Sequence, residues 1–220
     1  MSQDILVYSR TSSASLRTIL ARDLLKISDE RVKLKHIDPN ELGKNPERRY
    51  PFMHIHDKGL LTQSGAICDY LEQISTSEVS LVPKSAWERI RMKQVINLVQ
   101  CDIHPLQNLT LVKQLVKMGM EAHEPIHQHP FRLMVIRRGF KGLEAHLEKY
   151  NCSGNFCVGN SISLAECYLI PQIRNALGAG LDLKSEFPRI HKIWSICLEN
   201  SIVSNALEFV GGIANEYKKT

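Results

Sequence analysis

The sequence predicts a mixed α/β domain over residues 1–76, followed by an all-α domain over residues 84–220. Three observations carry this. Strand signals are confined to the first part of the chain; they alternate with helical ones in the order β-α-β, then β-β-α; and beyond the polar, turn-rich stretch "STSEVSLVP" (75–83) only helical periodicity remains.

Residues 5–9 read as a strand on the apolar run Ile5-Leu6-Val7-Tyr8. Residues 32–37 alternate Val32, Leu34 and His36 with Lys33, Lys35 and Ile37, the pattern of a half-buried strand. Between them, Leu16, Ile19 and Leu20 recur at helical spacing, which predicts a helix over 15–26. The resulting β-α-β unit calls for parallel strands joined by a right-handed crossover. "DPNELGKNPERR" (38–49) reads as an irregular link. Residues 52–56 and 60–62 flank the compact turn "DKG" and pair as a hairpin, and Ser64 N-caps a helix reaching residue 73. A small mixed sheet with helices on its faces is a thioredoxin-like arrangement.

In the second part, Ser85-Ala86-Trp87-Glu88 is a capping-box pattern, with the serine oxygen accepting an amide and the glutamate reaching back to the cap. Apolar residues follow at Trp87, Ile90, Val95, Leu98, Val99, Ile103 and Leu106. A long helix over 130–150 rests on Met134, Ile136, Phe140, Leu143 and Leu147. Ser163 and Glu166 form a second box, and "CYLIPQIRNAL" after it is apolar nearly all round, hence buried. Helices over 188–199 and 203–217 complete the domain, and His104-Pro105 marks a bend.

Composition excludes several function classes. With 43% hydrophobic and 23% charged residues, the chain is an ordinary globular one, and no apolar run reaches the ~18 residues of a membrane span. "MSQDILVYSR" carries an acid and too short an apolar run for a signal peptide, which predicts a cytoplasmic protein. The net charge of +5 is scattered and aromatics are only 6%, so neither a nucleic acid nor a membrane is the expected partner. The 6 cysteines form no C-x-x-C pair and read as reduced, mostly buried thiols. "HEPIH" (123–127) matches the zinc-protease pattern, but Pro125 breaks the helix that motif requires, so no metal is expected.

The stretch "SRTSSASLRTILA" (9–21) concentrates hydroxyls where the first strand becomes the first helix. A helix start offers unpartnered amides and a positive dipole end, so an anion is favoured there. A thiol resting there would ionise below its usual pKa of ~8.5, each unit of lowering being ~1.36 kcal/mol. The plainer reading is that Ser12, Ser13 and Ser15 only cap a helix. Tyr50-Pro51, if cis, would present the Tyr50 backbone to an extended peptide. Gln63-Ser64 opens the next helix and suits a carboxylate. A short anionic peptide carrying a thiol satisfies all three.

These segments resemble the zeta class of cytosolic glutathione transferases, which includes maleylacetoacetate isomerase. "SSASLR" (12–17) stands where that family has Ser-Ser-Cys-Ser-Trp-Arg; "YP" (50–51) stands at its cis-proline and "QS" (63–64) at its γ-glutamyl carboxylate site. "HPLQNLT" (104–110), "CVGNSISLAE" (157–166), "PQIRNA" (171–176) and "LDLKSEFPRI" (181–190) follow in family order and spacing across nearly the whole chain.

The resemblance implies cytosolic glutathione transferase architecture, a thioredoxin-like glutathione-binding domain plus an all-α substrate domain, and a homodimer. It places Ser12 as donor to the glutathione sulfur, with Ser13 and Ser15 lining the same turn and Arg17 facing the site. Tyr50, Pro51, Gln63 and Ser64 then hold the peptide, with His104, Asn108, Leu109 and Thr110 at a cleft. The implied substrate is a small electrophile. It is either isomerised from cis to trans, as maleylacetoacetate is in aromatic amino acid catabolism, or conjugated to glutathione. The alternative is a non-catalytic glutathione- or ligand-binding protein on the same fold.

Three departures stand out. Ala14 replaces the family's cysteine, which also removes any basis for disulfide chemistry at this turn. The link before Pro51 is shorter than the family's, leaving Lys44, Arg48 and Arg49 as substitute peptide contacts. Gly178 stands near the family's substrate-carboxylate arginine, and Arg174, four residues earlier on the same helix face, is the substitute candidate.

Overall fold

The computed structural model describes residues 3–37, 39–151 and 154–211. Strand β1 (Asp4–Tyr8) pairs in parallel with β2 (Val32–His36), Leu6 lying opposite Leu34, and helix α1 (Ser13–Leu24) makes the crossover. After a short helix α2 (Pro39–Lys44), β3 (Phe52–Ile55) runs antiparallel to β1 and turns back into β4 (Gly59–Thr62). The sheet order is β2-β1-β3-β4. This is the thioredoxin-like domain expected. Edge strand β2 exposes Lys33 and Lys35, which blunts it against further pairing. Interior strands β1 and β3 bury Leu6, Val7, Phe52 and Met53.

Helix α3 (Ser64–Ile74) packs on α1. A buried carboxylate knits the sheet to it: Asp4 accepts from the His56 amide at 3.0 Å, from Arg31 at 2.7 Å and from the Tyr70 hydroxyl at 2.7 Å. Helix α2 falls inside the stretch read as an irregular link. Its six residues include Gly43 and are too few to show periodicity, although Pro39 occupies the first position that proline favours.

The second part contains no strand among its described residues. It contains α4 (Ala86–Asn97), a π-helical turn (Leu98–Ile103), α5 (Leu109–Lys117), a 3₁₀ turn (Ile126–Gln128), α6 (Pro130–Asn151), α7 (Leu164–Gly178), α8 (Leu183–Glu186) and α9 (Pro188–Glu199). At α7 the capping box is complete. Glu166 is fully buried and accepts from the Ser163 amide at 2.7 Å, the Ser163 hydroxyl at 2.9 Å and the Cys157 amide at 2.6 Å. Burial raises its pKa, against the lowering effect of those donors. At α4 only half the box forms: Ser85 Oγ accepts the Glu88 amide at 3.4 Å, while the Glu88 side chain lines a surface cavity.

The helix expected over 203–217 begins earlier, as α10 (Ser201–Phe209), and its residues beyond 211 lie outside the described ones. By internal contacts the chain divides into Met1–Val82 with Leu198–Thr220, and Pro83–Cys197. Sequence reading assigns everything after residue 84 to the helical domain. The described residues from Leu198 cluster with the first unit because α10 packs on α1. There the Phe209 ring lies 5.4 Å from that of Tyr8, and the Arg10 guanidinium 5.8 Å from the Phe209 centroid. No described helix is long and apolar enough to cross a membrane.

Candidate functional site

The hydroxyls at the start of α1 are not equivalent. Ser12 is the N-cap, extended at φ −92° and ψ 118°, and its Oγ accepts the Ser15 amide at 3.1 Å. Ser12 is half-buried, and a hydroxyl that accepts one bond still has its hydrogen to donate outward. Ser15, expected to line the turn beside it, is fully buried: its Oγ accepts the Ser9 amide at 3.1 Å and so braces the loop from within. Ser13 is also buried, and the Ser9 and Thr11 hydroxyls bond each other at 3.2 Å. Burial leaves Ser12, of the three serines expected to be catalytic, as the reachable hydroxyl.

Arg17, expected to face the site, is buried between α1 and α3. Its Nη1 donates to Ser64 Oγ at 3.5 Å, linking the starts of the two helices. One turn further along α3, burial pushes the Cys68 thiol up to about 12, with the nearby Arg17 charge opposing the shift. That thiol is held protonated and donates a weak bond to the Arg17 carbonyl at 3.9 Å. Ser64 is not the cap of α3 but its first helical residue, and it is buried. Gln63 takes the cap position at φ 69° and ψ 118°, a left-handed backbone that costs a non-glycine residue ~1–3 kcal/mol and concentrates at ligand-binding sites.

The short link before β3 reaches this corner through Glu47, a residue outside the expected site set. Glu47 accepts from Thr62 Oγ1 at 2.7 Å and from Gln63 Nε2 at 2.7 Å. Buried Asn45 organises the loop, accepting the Glu47 amide on its side chain at 3.0 Å and donating to the Arg49 carbonyl at 2.5 Å. Arg48 and Arg49 are exposed, and the Tyr50–Pro51 peptide is cis. The signal for Glu47 lay in "NPE", an Asx turn whose third residue is thrown toward the neighbouring strand.

The remaining candidates belong to the second unit. His104 closes the π-helical turn, its amide donating to the Val99 carbonyl at 2.8 Å. Asn108 caps α5 by accepting the Thr110 amide at 2.9 Å; Leu109 is half-buried and Thr110 exposed. Arg174 is half-buried on α7, where desolvation lowers its pKa. Gly178 ends that helix with open space around it, no heavy atom lying within 4 Å of an added Cβ. In the "HEPIH" loop, buried His129 has both ring nitrogens engaged, with the Glu121 carbonyl at 2.9 Å and the Phe131 amide at 3.1 Å. It is a loop brace. A cavity of about 300 Å³ beside Trp87, Arg91 and Tyr150 contains none of the candidate residues.

Comparison with known proteins now bears on this geometry. The glutathione S-transferase N-terminal domain family matches residues 11–74, the span that holds Ser12, Arg17, Glu47, Gln63 and Ser64. The maleylacetoacetate isomerase of Dictyostelium discoideum is 36% identical over 68% of this chain and 64% of its own length. That of Pseudomonas aeruginosa is 31% identical over 84% of the chain and 86% of its own length. The chain belongs to the zeta-class glutathione transferase and maleylacetoacetate isomerase family. Among solved structures, a maleylacetoacetate isomerase from Methylobacterium extorquens AM1 with bound malonate and GSH superposes with a TM-score of 0.83 at 27% identity. It covers 94% of this chain and 98% of its own. A maleylpyruvate isomerase described as a zeta-class bacterial glutathione S-transferase gives 0.81 at 26%, over 92% and 95%. The starts of α1 and α3, joined by Arg17, both lie within the span that the N-terminal domain family matches.

Proposed function

We propose that this chain is a glutathione-dependent enzyme of the zeta-class type. It acts by cis–trans isomerisation of maleylacetoacetate-like substrates or by conjugation of small electrophiles. The observation that carries the reading is the half-buried Ser12 hydroxyl at the cap of α1, the helix that Arg17 ties to Ser64 at the start of α3.

The residues present fit glutathione. Ser12 offers a hydroxyl and a positive helix end to a thiolate, Ser64 and the α3 amides suit a carboxylate, and Arg17 adds a fixed cation beneath them. When bound, glutathione supplies a sulfur nucleophile that adds reversibly to an activated double bond. The chain's part is to hold that sulfur ionised. A hydrogen bond to a charged acceptor contributes ~1.5–3 kcal/mol, which lowers a thiol pKa by ~1–2 units. Ser15 and Ser13 fix the backbone on which Ser12 sits, Tyr50 and Pro51 border the extended peptide, and no metal takes part. In the second unit His104, Asn108, Leu109, Thr110 and Arg174 are the residues offered to the electrophile. Arg174 would take a substrate carboxylate in place of the arginine that Gly178 replaces. The working form is a cytoplasmic homodimer.

The experiment is to add maleylacetone with glutathione and follow isomerisation directly, beside a chlorinated acid and a nitroaromatic. Conversion above the glutathione-only background supports the enzyme reading, and its loss in Ser12→Ala assigns the step to that hydroxyl. Glutathione binding with no turnover of any electrophile would reduce the chain to a binding protein.

A further inference from the structure

The start of α4 and the end of α6 face each other across the cavity of about 300 Å³ in the second unit. On α4, Trp87 and Arg91 are four residues apart and share a face, the Arg91 guanidinium lying 4.8 Å from the Trp87 ring centroid. On α6, His146 and Tyr150 repeat that spacing, their rings 4.9 Å apart. The two faces meet through charge. The same guanidinium sits 3.7 Å from the Tyr150 centroid, and Lys149 Nζ comes within 5.3 Å of it. Buried Cys157 and Val158 line the inner side. Gly159, at φ 60°, adds no side chain to fill the space, and Glu88 Oε1 lies 3.6 Å from where its Cβ would be.

Three observations set this cavity apart from ordinary surface. Its aromatic rings stay in water, Trp87 at 61% exposure and Tyr150 at 47%, although a buried ring is the usual outcome. Two cations converge on one ring, and among the described residues neither Arg91 nor Lys149 pairs with a carboxylate; Arg91 bonds only the uncharged Gln94 side chain, at 2.9 Å. Finally, Glu88 turns to the cavity instead of completing the capping box of α4. Two cations against one carboxylate leave a single positive charge in excess, and His146, whose pKa is lowered from 6.5 by burial and then by Arg91, adds none at pH 7. An aromatic ring gains contact area against the exposed faces, one anionic group neutralises the excess, and a second would meet Glu88. We propose that this cavity binds a flat aromatic monoanion of the aryl carboxylate class, its ring against Trp87 and its anionic group held by Arg91 and Lys149. The volume suits one or two fused rings. The cavity shares no residue with the glutathione and electrophile sites proposed above, so it holds or fails independently of them.

The test is a titration with 2-naphthoate at pH 7, read by the indole N–H signals of the ¹⁵N-labelled chain, which has 2 tryptophans. Trp87 is exposed and Trp194, at 3% exposure, is in the core, so one signal reports the cavity and the other the fold; Trp87→Phe assigns them. The Trp87 signal should shift saturably while Trp194 stays in place. The uncharged isostere 2-naphthamide should bind at least tenfold more weakly. The double variant Arg91→Gln/Lys149→Gln should lose that preference by weakening naphthoate alone, with an unmoved Trp194 signal showing that it is folded. Should that signal move, Lys149→Gln, a change at an exposed residue, replaces it and should cut the preference about threefold. A titration that moves neither signal, or Trp194 without Trp87, overturns the proposal. So does equal binding of acid and amide by the wild type, or a preference that the charge variants retain in full. A Trp87 signal that moves with protein concentration before ligand is added would make the patch an interface between copies of this chain, and overturn it too.

Discussion

Ser15→Ala separates bracing from chemistry at the start of α1. The Ser15 hydroxyl is fully buried and is the acceptor for the Ser9 amide at 3.1 Å, while Ser9 itself is buried. Alanine leaves that buried amide without its acceptor. An unsatisfied buried donor costs ~1–3 kcal/mol, and for a chain of about this size each kcal/mol lowers the melting temperature by ~2–4 °C. The expected drop is therefore roughly 2–12 °C. The hydroxyl offered to the sulfur belongs to Ser12, so kcat with saturating glutathione should stay within about threefold of wild type at a temperature where both proteins are folded. Ser12→Ala should do the reverse. Loss of an N-cap costs ~1 kcal/mol of stability, while loss of the donor lowers kcat/KM by at least tenfold. Thermal melts followed by circular dichroism, paired with maleylacetone turnover, read both quantities. A Ser15→Ala protein as stable as wild type would refute the bracing argument. One that melts normally but has lost turnover would move the catalytic hydroxyl to Ser15.

Gly178→Arg should raise isomerase activity toward dicarboxylic substrates by several-fold with no loss of stability. The position has open space around an added Cβ, and replacing a helical glycine favours the helix by up to ~1 kcal/mol; KM measured against a mono-acid analogue checks it. Gly139→Ala should destabilise the second unit by ~1–3 kcal/mol in urea titrations, because an added Cβ would lie 2.2 Å from Ile103 Cγ1 in the π-helical turn. His146 has its pKa lowered, first by burial and then by the charge of Arg91. The folded chain therefore takes up this proton less readily than the unfolded one. That contribution to stability is present above the unfolded value of 6.5 and is lost as pH falls through 6.5 toward the folded pKa. His146→Gln should flatten the stability profile in that window, as read from denaturation midpoints between pH 7.5 and 5.

The β1-α1-β2 unit was legible because Val32, Leu34 and His36 alternate and Leu16, Ile19 and Leu20 keep helical spacing, local patterns that tertiary contacts reinforced. The α7 box was legible for a similar reason: Ser163 and Glu166 satisfy each other within one turn. Other features depended on contacts that no local pattern encodes. Of the apolar series that opens α4, Trp87 and Ile90 are exposed while Val95 is buried, together with Met92, which the series does not include. The π-helical turn over Leu98–Ile103 winds wider than an α-helix, so an α-helical period drawn from Trp87 to Leu106 drifts out of phase. Helix α5 is absent from the sequence expectation, which treats Asn108, Leu109 and Thr110 as cleft residues although Asn108 is a regular cap. At the candidate site, Ser12, Gln63 and Ser64 could be found from helix-start chemistry. The distinction between Ser12 and Ser15 could not, since it depends on which hydroxyl the Ser9 amide claims. The Asx turn that carries Glu47 is a local pattern, but its partners Thr62 and Gln63 are set only once the link folds back to them.

The most direct measurement is an ultraviolet titration of the glutathione thiol in complex with the wild-type chain and with Ser12→Ala. The wild-type complex should ionise below the free-thiol value of ~8.5 by about 1–2 pH units, with Ser12→Ala returning most of that shift. A bound thiol that titrates like free glutathione, or one equally acidified without the Ser12 hydroxyl, would contradict the account.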